Sequence, residues 1–409
     1  MEEKRYLTAR EAAEALGVSL PTLYAYVSRG LVRSEATGGG RRDRRYHAED
    51  VRRLQERKEY RRDPDRVVED ALRWGAPVLE SGITLVSGGH LYYRGWDALE
   101  LARNRSIEQV AALIWAGDLR EAVPESFFRE LDVPNLLSAA SPAMRHLTIL
   151  ETFQALLPLA AADDVAAYDL RPRAVARAGA RILLLMAGVL AREAGIEGVA
   201  NTLCRGWGLD ETRDGRLLDA ALILCADHEL PVSTFAVRCV ASSGATPYAA
   251  VIAGLSAAQG VKHGGQIGLV QNLLRDAEAS GDARKVLAER LRRGETIPGF
   301  GHSLYPEGDP RGAELLRLAG AAYPDSPAVD LSGSVAAQSL EILEEHPTVD
   351  FGLATLSRVL GLPAEGALAL FVVGRTVGWI GHAIEQYGTD GLIRPRARYV
   401  GEQPPNAGR

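Results

Sequence analysis

The chain has 409 residues, of which 46% are hydrophobic and 24% are charged, and its net charge is −6. This length allows two or three domains with a sizeable hydrophobic core. The three cysteines, Cys204, Cys225 and Cys239, are too few for a disulfide framework, which excludes a disulfide-stapled secreted class and predicts a reducing, cytoplasmic environment.

The sequence also predicts no membrane partner. Its N-terminus is charged from Glu2 onward, unlike a signal peptide. The apolar run from Ile182 to Ala191 is flanked by arginines and, at ten residues, is too short to cross a bilayer. We therefore expect it to form a buried core helix.

The first elements in chain order are two short helices. Thr8 and Glu11 form a capping-box pattern that opens a helix through Leu16. A tight turn follows, and Ser19 is placed to cap a second helix through Val27. Two helices joined in this way predict a helix-turn-helix.

Basic residues follow the two helices. Three glycines precede a group of arginines that reads as a hairpin wing, and a third helix is expected over Glu49–Tyr60. Residues 1–66 hold 16 Lys and Arg against 12 Asp and Glu, a net +4, which leaves −10 for the rest of the chain. The run from Tyr6 to Ser19, with the later Tyr-His-Ala-Glu-Asp-Val, resembles the MerR-like DNA-binding domain.

That resemblance implies double-stranded DNA as a possible partner. The expected contacts come from the second helix and the wing: Tyr24, Tyr26, Ser28, Arg41, Arg42, Arg44 and Arg45. A solvated basic helix, or a domain kept only for packing, is the alternative interpretation.

The remainder of the chain is predicted to be mainly helical. One β-hairpin is expected over Ile83–Tyr93, turning at Gly88. From residue 98 onward Ala and Leu recur with helical periodicity, and the pattern from Ser106 to Gln109 is a capping box.

Two histidines then follow predicted helices. His228 lies near the end of an apolar helix, after which Ser233 is expected to cap the next one, and His263 precedes two glycines after the helix Pro247–Gln259. His302 stands in a glycine-rich loop nine residues before Arg311, whose planar guanidinium suits a carboxylate.

Three charged residues complete the candidate set: Asp350, Arg375 and Arg394. Each position also has a plain structural interpretation. His228 could cap a helix C-terminus, Asp350 could be an N-cap, and Arg375 could pair with Glu385. A zinc site built from the histidines and Asp350 is disfavoured because no pair has short-range ligand spacing, so no metal is expected.

The motifs D-H-E, H-G-G, G-F-G-H with D-P-R, V-D-F, R-T-V-G-W and R-P-R occur in an order that resembles the citrate synthase family. The resemblance implies a helical, two-domain homodimer that condenses an acyl-CoA with oxaloacetate and needs no other cofactor. Asp350 would be the base, His263 would bind the thioester oxygen and His302 would protonate the ketone. Oxaloacetate would be held by His228, Arg311, Arg375 and, across the dimer, Arg394.

The same resemblance implies the domain organisation. We expect a helix-turn-helix domain at 1–63, a linker at 64–76, a large helical domain at 77–262 and 371–409, and a small inserted domain at 263–370. The chain departs from the family pattern at Gln266, Pro306 and Cys225, mostly on the acyl-CoA side. The donor therefore stays open between acetyl-CoA and propionyl-CoA, which would give 2-methylcitrate. A metabolite-sensing transcription regulator on this scaffold is the third alternative.

Overall fold

A computed structural model describes residues 6–29, 31–36, 44–48, 50–51, 54, 79–117, 144, 146–192 and 198–402. The chain divides into two compact units, Met1–Glu80 and Ser81–Arg409. The expectation of a mainly helical protein is confirmed.

The N-terminal unit combines two helices with a three-stranded antiparallel sheet of order β1-β3-β2. Its elements are β1 (Tyr6–Leu7), α1 (Ala9–Ala15), α2 (Leu20–Ser28), β2 (Ser34–Ala36) and β3 (Arg44–His47). The predicted capping box is present: the Thr8 hydroxyl accepts from the Glu11 amide, and the Glu11 carboxylate accepts from the Thr8 amide. Ser19 is the N-cap of α2, but its hydroxyl bonds the Thr22 hydroxyl instead of a backbone amide.

Antiparallel pairing of β2 with β3 supplies the hairpin that the sequence predicts as a wing. A small core of Ala12, Leu16, Leu23, Val32 and Tyr46 holds helices and sheet together. Arg41, Arg42, the segment 64–76 and most of the helix expected over Glu49–Tyr60 lie outside the described residues.

The C-terminal unit begins with a second antiparallel sheet of order β4-β5-β6. Its strands are β4 (Thr84–Ser87), β5 (His90–Tyr93) and β6 (Trp96–Asp97), and Ser87 pairs with His90 across the predicted turn. The hairpin prediction is therefore confirmed.

Helices make up most of this unit. In chain order they are α3 (Ala98–Asn104), α4 (Ile107–Ala116), α5 (Ile149–Ala162), α6 (Pro172–Ala191), α7 (Val199–Trp207), α8 (Asp214–Cys225), α9 (Val232–Ala241), α10 (Pro247–Ala258), α11 (Gly265–Ser280), α12 (Ala283–Arg292), α13 (Pro310–Ala322), α14 (Pro327–Leu343), α15 (Val349–Val359) and α16 (Gly366–Tyr387). Ser106 and Gln109 form the predicted capping box at the start of α4.

Two hydrophobic cores stabilise the C-terminal unit. The larger one surrounds α16, which is buried along almost its whole length. The smaller one gathers side chains of α11, α12, α14 and α15, including Val270, Leu287, Val335 and Phe351. α15 contributes to both cores, with Leu353 in the larger and Phe351 in the smaller.

Among the residues that the structure describes, two helices, α6 and α16, are long and apolar enough to cross a membrane by length and composition alone. The ten-residue run starting at Ile182 is therefore only the second half of a 20-residue helix, and the prediction of its length was wrong. The protein interior buries 72% of the apolar window of α6 and 94% of that of α16, which is the behaviour of core helices.

Candidate active site

The glycine-rich loop around residue 300 is paired with the segment that leads into α15. The Gly301 amide donates to the His346 carbonyl (3.0 Å), and the Thr348 amide donates to the Gly299 carbonyl (2.8 Å). Gly299 and Gly301 have φ angles of 85° and 73°, which other residues adopt only with strain. His302 directly follows the paired residue Gly301, and α15 begins directly after the paired residue Thr348. The pairing therefore holds His302 and the start of α15 close together.

Asp350 is the second residue of α15, after the N-cap Thr348. The alternative interpretation of Asp350 as a cap is therefore wrong. Burial raises the pKa of its carboxyl to about 6, with Arg311 and Arg375 lowering the pKa and Asp309 raising it. The side chain keeps some solvent access. At neutral pH this group is a carboxylate of raised basicity beside two guanidiniums, which suits a general base.

Arg311 lies at the start of α13 and is almost fully buried. Its Nε and Nη2 donate to the two carboxylate oxygens of Asp309, at 2.9 and 2.8 Å. The predicted cation is thus present at the site, and two of its five guanidinium N–H donors are already used within the protein.

Arg375 lies in the middle of α16, where this helix passes the end of α8. A Cβ at Gly378 would come within 2.3 Å of the Ala226 carbonyl oxygen, so this glycine permits the close approach. Arg375 Nε donates to the Cys225 carbonyl (2.7 Å), and its guanidinium lies 5.0 Å from the centroid of the Phe371 ring. The alternative pairing of Arg375 with Glu385 is therefore wrong.

Two imidazoles and a phenol form a cluster beside these cations. His228 Nε2 lies 3.0 Å from the Tyr305 hydroxyl, and the ring centroids of His228 and His302 are 5.3 Å apart. Burial lowers the pKa of both imidazoles, and the charge of Arg311 lowers it further. Both rings are therefore neutral at pH 7. The Leu304 amide donates to His302 Nδ1 (3.2 Å), which leaves the proton of the neutral ring on Nε2.

His263 is held in the turn between α10 and α11. Its Nε2 lies 2.8 Å from the Ser233 hydroxyl, and its ring is perpendicular to that of Phe371 at a centroid distance of 5.6 Å. Burial, and then the charge of Arg375, lower the pKa of His263 to about 4. A neutral imidazole at this position can donate a hydrogen bond without carrying a charge.

The expected capping role of Ser233 is wrong. Pro231 is the N-cap of α9, and Ser233 lies inside the helix, fully buried, with its hydroxyl on His263. No sequence signal points to this contact, because the two residues are 30 positions apart and no motif joins them. Phe371, Tyr305 and Asp309 were likewise missed as parts of the site.

The structure therefore brings six of the seven predicted residues of this site together: His228, His263, His302, Arg311, Asp350 and Arg375. Arg394 is not among them. It lies exposed in the segment after α16, and among the described residues no hydrogen bond or ion pair joins it to the others. No cluster of His, Cys, Asp and Glu that could hold a metal ion occurs in the described part of the chain.

The described candidate DNA contacts of the N-terminal unit are mostly exposed to solvent, although some of them also have partners within the unit. Tyr24, which is 50% exposed, and Ser28 are exposed, whereas Tyr26 is partly buried. Arg44 donates to the Ser34 carbonyl (3.3 Å). Arg45 lies 3.5 Å from Glu35 and covers the ring of Tyr6 at 4.3 Å, so this arginine already has partners within the unit.

Known proteins share both units. The family model described as citrate synthase, C-terminal domain, matches residues 71–396. The chain belongs to the citrate synthase family. A helix-turn-helix domain model matches residues 6–59, which confirms the predicted helix-turn-helix.

Two relatives illustrate how far the citrate synthase similarity extends. A citrate synthase of Haloferax volcanii is 32% identical over 360 residues, covering 80% of this chain and 95% of the relative. A 2-methylcitrate synthase of Shewanella oneidensis is 28% identical over 361 residues, covering 78% of this chain and 91% of the relative.

Solved structures support the same fold. A citrate synthase of Thermotoga maritima superposes with a TM-score of 0.69 at 25% identity, covering 81% of this chain and 95% of that one. A citrate synthase of the archaeon Thermoplasma acidophilum, solved as a ternary complex with carboxymethyl coenzyme A and oxaloacetate, gives a TM-score of 0.69 at 22% identity and covers 80% of this chain and 95% of that one. At this identity the latter likeness concerns the fold.

Proposed function

We propose that the protein is an acyltransferase that condenses an acyl-CoA, with acetyl-CoA as the first candidate, with oxaloacetate to give citrate and free CoA. The observation that carries the proposal is the environment of Asp350. Burial raises its pKa to about 6 against the charges of Arg311 and Arg375, which lower it, and the candidate imidazoles His263 and His302 are neutral at pH 7.

The proposed chemistry begins with proton removal. A thioester α-proton is very weakly acidic, so a carboxylate removes it only where the developing enolate oxygen receives a hydrogen bond. Asp350 takes the proton from the methyl carbon, and His263 donates to the thioester oxygen. Ser233 suits this role for His263, since a hydroxyl that donates to Nε2 keeps the ring proton on Nδ1.

The second step forms the carbon–carbon bond. The enol carbon attacks the ketone carbon of oxaloacetate, and the ketone oxygen takes a proton from His302. The Leu304 amide on Nδ1 supports this role, because it keeps the donor proton of His302 on Nε2. Water then cleaves the resulting citryl thioester, which releases citrate and the CoA thiol.

We assign the binding of oxaloacetate to His228, Arg311 and Arg375, with Arg394 supplied by a second subunit of a homodimer. Guanidiniums suit a dicarboxylate because they remain charged at all working pH values. The proposed small domain spans 263–370 and carries His302, Arg311 and Asp350. Its motion relative to the large domain would open and close the site.

The decisive assay measures free thiol released by the purified protein with oxaloacetate and acetyl-CoA, comparing wild type with Asp350→Ala. We expect the variant to lose at least about 100-fold in rate, as for removal of a general base. Equal rates would remove the enzymatic assignment. Propionyl-CoA in the same assay tests the alternative of 2-methylcitrate synthesis, which the Shewanella relative favours.

The shared site has its own test. Mixing Arg394→Ala subunits with Asp350→Ala subunits should restore part of the activity, because each mixed dimer keeps one complete site. Verified mixed dimers without any recovery would show that Arg394 does not act across the interface.

We further propose that the N-terminal domain binds double-stranded DNA through Tyr24, Tyr26 and Ser28 of α2 and the wing residues Arg41, Arg42, Arg44 and Arg45. The helix-turn-helix match and the exposed Tyr24 support this role. A gel-shift screen against the gene's own upstream DNA tests it at a stated, low salt concentration. Absence of any shift would leave the domain without a nucleic-acid role, and a shift that responds to oxaloacetate would favour the metabolite-sensing alternative.

A further inference from the structure

A single carboxylate joins the beginnings of two helices at the proposed active site. Asp309, only 2% exposed, precedes α13. Its Oδ1 accepts from the Arg311 side chain (2.9 Å) and the Arg311 amide (3.0 Å). Its Oδ2 accepts from Arg311 Nη2 (2.8 Å) and from the amide of Val349 at the start of α15 (3.0 Å). Asp309 is therefore bonded both to a candidate substrate cation and to the helix turn that carries Asp350.

These bonds determine which part of Arg311 a ligand can reach. A guanidinium offers two bidentate edges, one formed by Nε with one Nη nitrogen and the other formed by the two Nη nitrogens. Asp309 occupies the first edge of Arg311. The second edge is left for a carboxylate, and its direction is set by Asp309.

The carboxylate itself is held in the charged state. Burial alone would raise the pKa of Asp309, but the charge and hydrogen bonds of Arg311 hold that pKa below its ordinary value. The charged groups that act on Asp350 are Arg311, Asp309 and Arg375, and of these only Asp309 raises the pKa of Asp350.

We propose that Asp309 is a positioning residue that couples the two halves of the reaction: it aims Arg311 at one carboxylate of the diacid and holds the first turn of α15, and with it Asp350, in register with that cation. This inference rests on the proposed function. In this role Asp309 contacts neither substrate. It orients Arg311 and the start of α15, and its charge raises the pKa of Asp350.

The test compares Asp309→Asn with wild type. The amide keeps the shape of the side chain, but its NH2 group cannot accept from Arg311 or Val349. We expect the KM for oxaloacetate to rise at least about 10-fold and kcat to fall at least about 10-fold. We also expect the acid limb of kcat/KM for the acyl-CoA to move to lower pH by about half a unit or more, because the charge that raises the pKa of Asp350 is gone.

Glu314, on the same helix, provides a matched control. It is 3% exposed and accepts two hydrogen bonds from Arg103, at 2.8 and 2.9 Å, away from the candidate site. Glu314→Gln removes a buried carboxylate of the same kind from α13. It should lower the unfolding midpoint while leaving KM and the acid limb at their wild-type values.

The outcomes separate the two levels of the proposal. A wild-type protein that releases no thiol with either acyl-CoA would sink the proposed function itself. An active wild type, with Asp309→Asn keeping the wild-type KM and acid limb, would overturn only the role of Asp309, as would equal kinetic changes in Glu314→Gln. If Asp309→Asn does not fold, Asp309→Glu retains the charge and should raise KM without moving the limb; an unchanged KM in that variant would overturn the role as well.

Discussion

The strongest stability prediction concerns a carboxylate far from the candidate catalytic groups. Asp219 lies on α8, and its Oδ1 accepts a hydrogen bond from the amide of Ile107 at the start of α4 (2.8 Å). Burial, and then the nearby charge of Glu108, raise the pKa of Asp219 from 3.8 to about 7. Glu108 is fixed in place by a hydrogen bond from the Val199 amide (2.7 Å). The fold therefore holds Asp219 where its charged form is disfavoured.

The sign of the pH effect follows from this shift. The folded pKa lies above the unfolded one, so stability falls as the pH rises from about 4 to about 7 and is flat above that range. A difference of about three pKa units corresponds to roughly 4 kcal/mol at pH 8 and to roughly 2 kcal/mol at pH 5. Asp219→Asn keeps an oxygen that can accept from Ile107 and removes the charge. The variant should therefore be more stable than wild type, and more so at pH 8 than at pH 5.

The assay is equilibrium unfolding in urea, followed by tryptophan fluorescence at pH 5, 6, 7 and 8 and at one protein concentration. Asp282→Asn is the control, because Asp282 is an exposed cap that accepts from the Lys285 amide (3.0 Å) at the start of α12. Asp282→Asn should not stabilise the protein more at pH 8 than at pH 5. A gain for Asp219→Asn that is the same at pH 5 and pH 8, or a loss at pH 8, would refute the reasoning.

The remaining predictions concern packing and catalysis. Gly206→Ala should lower the free energy of unfolding by about 2–3 kcal/mol, because its Cβ would lie 2.1 Å from the Ala191 Cα. A Cβ at Gly268 meets nothing within 4 Å, so Gly268→Ala should raise the free energy of unfolding by up to about 1 kcal/mol. Similar urea midpoints for the two variants would contradict this. At saturating oxaloacetate, kcat/KM for the acyl-CoA should fall below a midpoint at pH 6 or above, since the bound diacid offsets the cations that lower the pKa of Asp350. A rate that stays level down to pH 5 would show that Asp350 is not the titrating base.

Local chemistry made part of the fold predictable. The capping boxes that begin at Thr8 and Ser106 depend on residues three positions apart, so the sequence displays them directly. The hairpin turn at Gly88 and the start of α10 at Pro247 are equally local. Other features, such as the length of α6, depend on tertiary packing. Helix α6 is twice as long as its continuous apolar run. In its first half an arginine recurs every fourth residue among small buried residues, which interrupts the apolar run but not the helix.

The site was predictable as a set of motifs but not as a set of contacts. The order of the motifs identified the imidazoles, the cations and Asp350. Partners such as Ser233 for His263, or the Cys225 carbonyl for Arg375, depend on how helices cross, and no sequence spacing encodes them. Asp309 belongs to the same D-P-R motif as Arg311, yet its hydrogen bond to the Val349 amide joins positions 40 residues apart.

The charge balance of the candidate site gives a physical reason for the proposed dimer. The imidazoles are neutral at pH 7, and the guanidiniums of Arg311 and Arg375 are balanced by the carboxylates of Asp309 and Asp350. The buried carboxylate of Asp227 also acts on Arg375. A bound dicarboxylate would therefore add two negative charges that these side chains do not compensate. Such a site would bind a diacid weakly, because buried charge requires compensation. If the site binds a diacid as proposed, we therefore expect a further cation to contribute. Arg394 is exposed in its own chain, and this exposure is consistent with the proposal that it supplies such a cation to a second subunit.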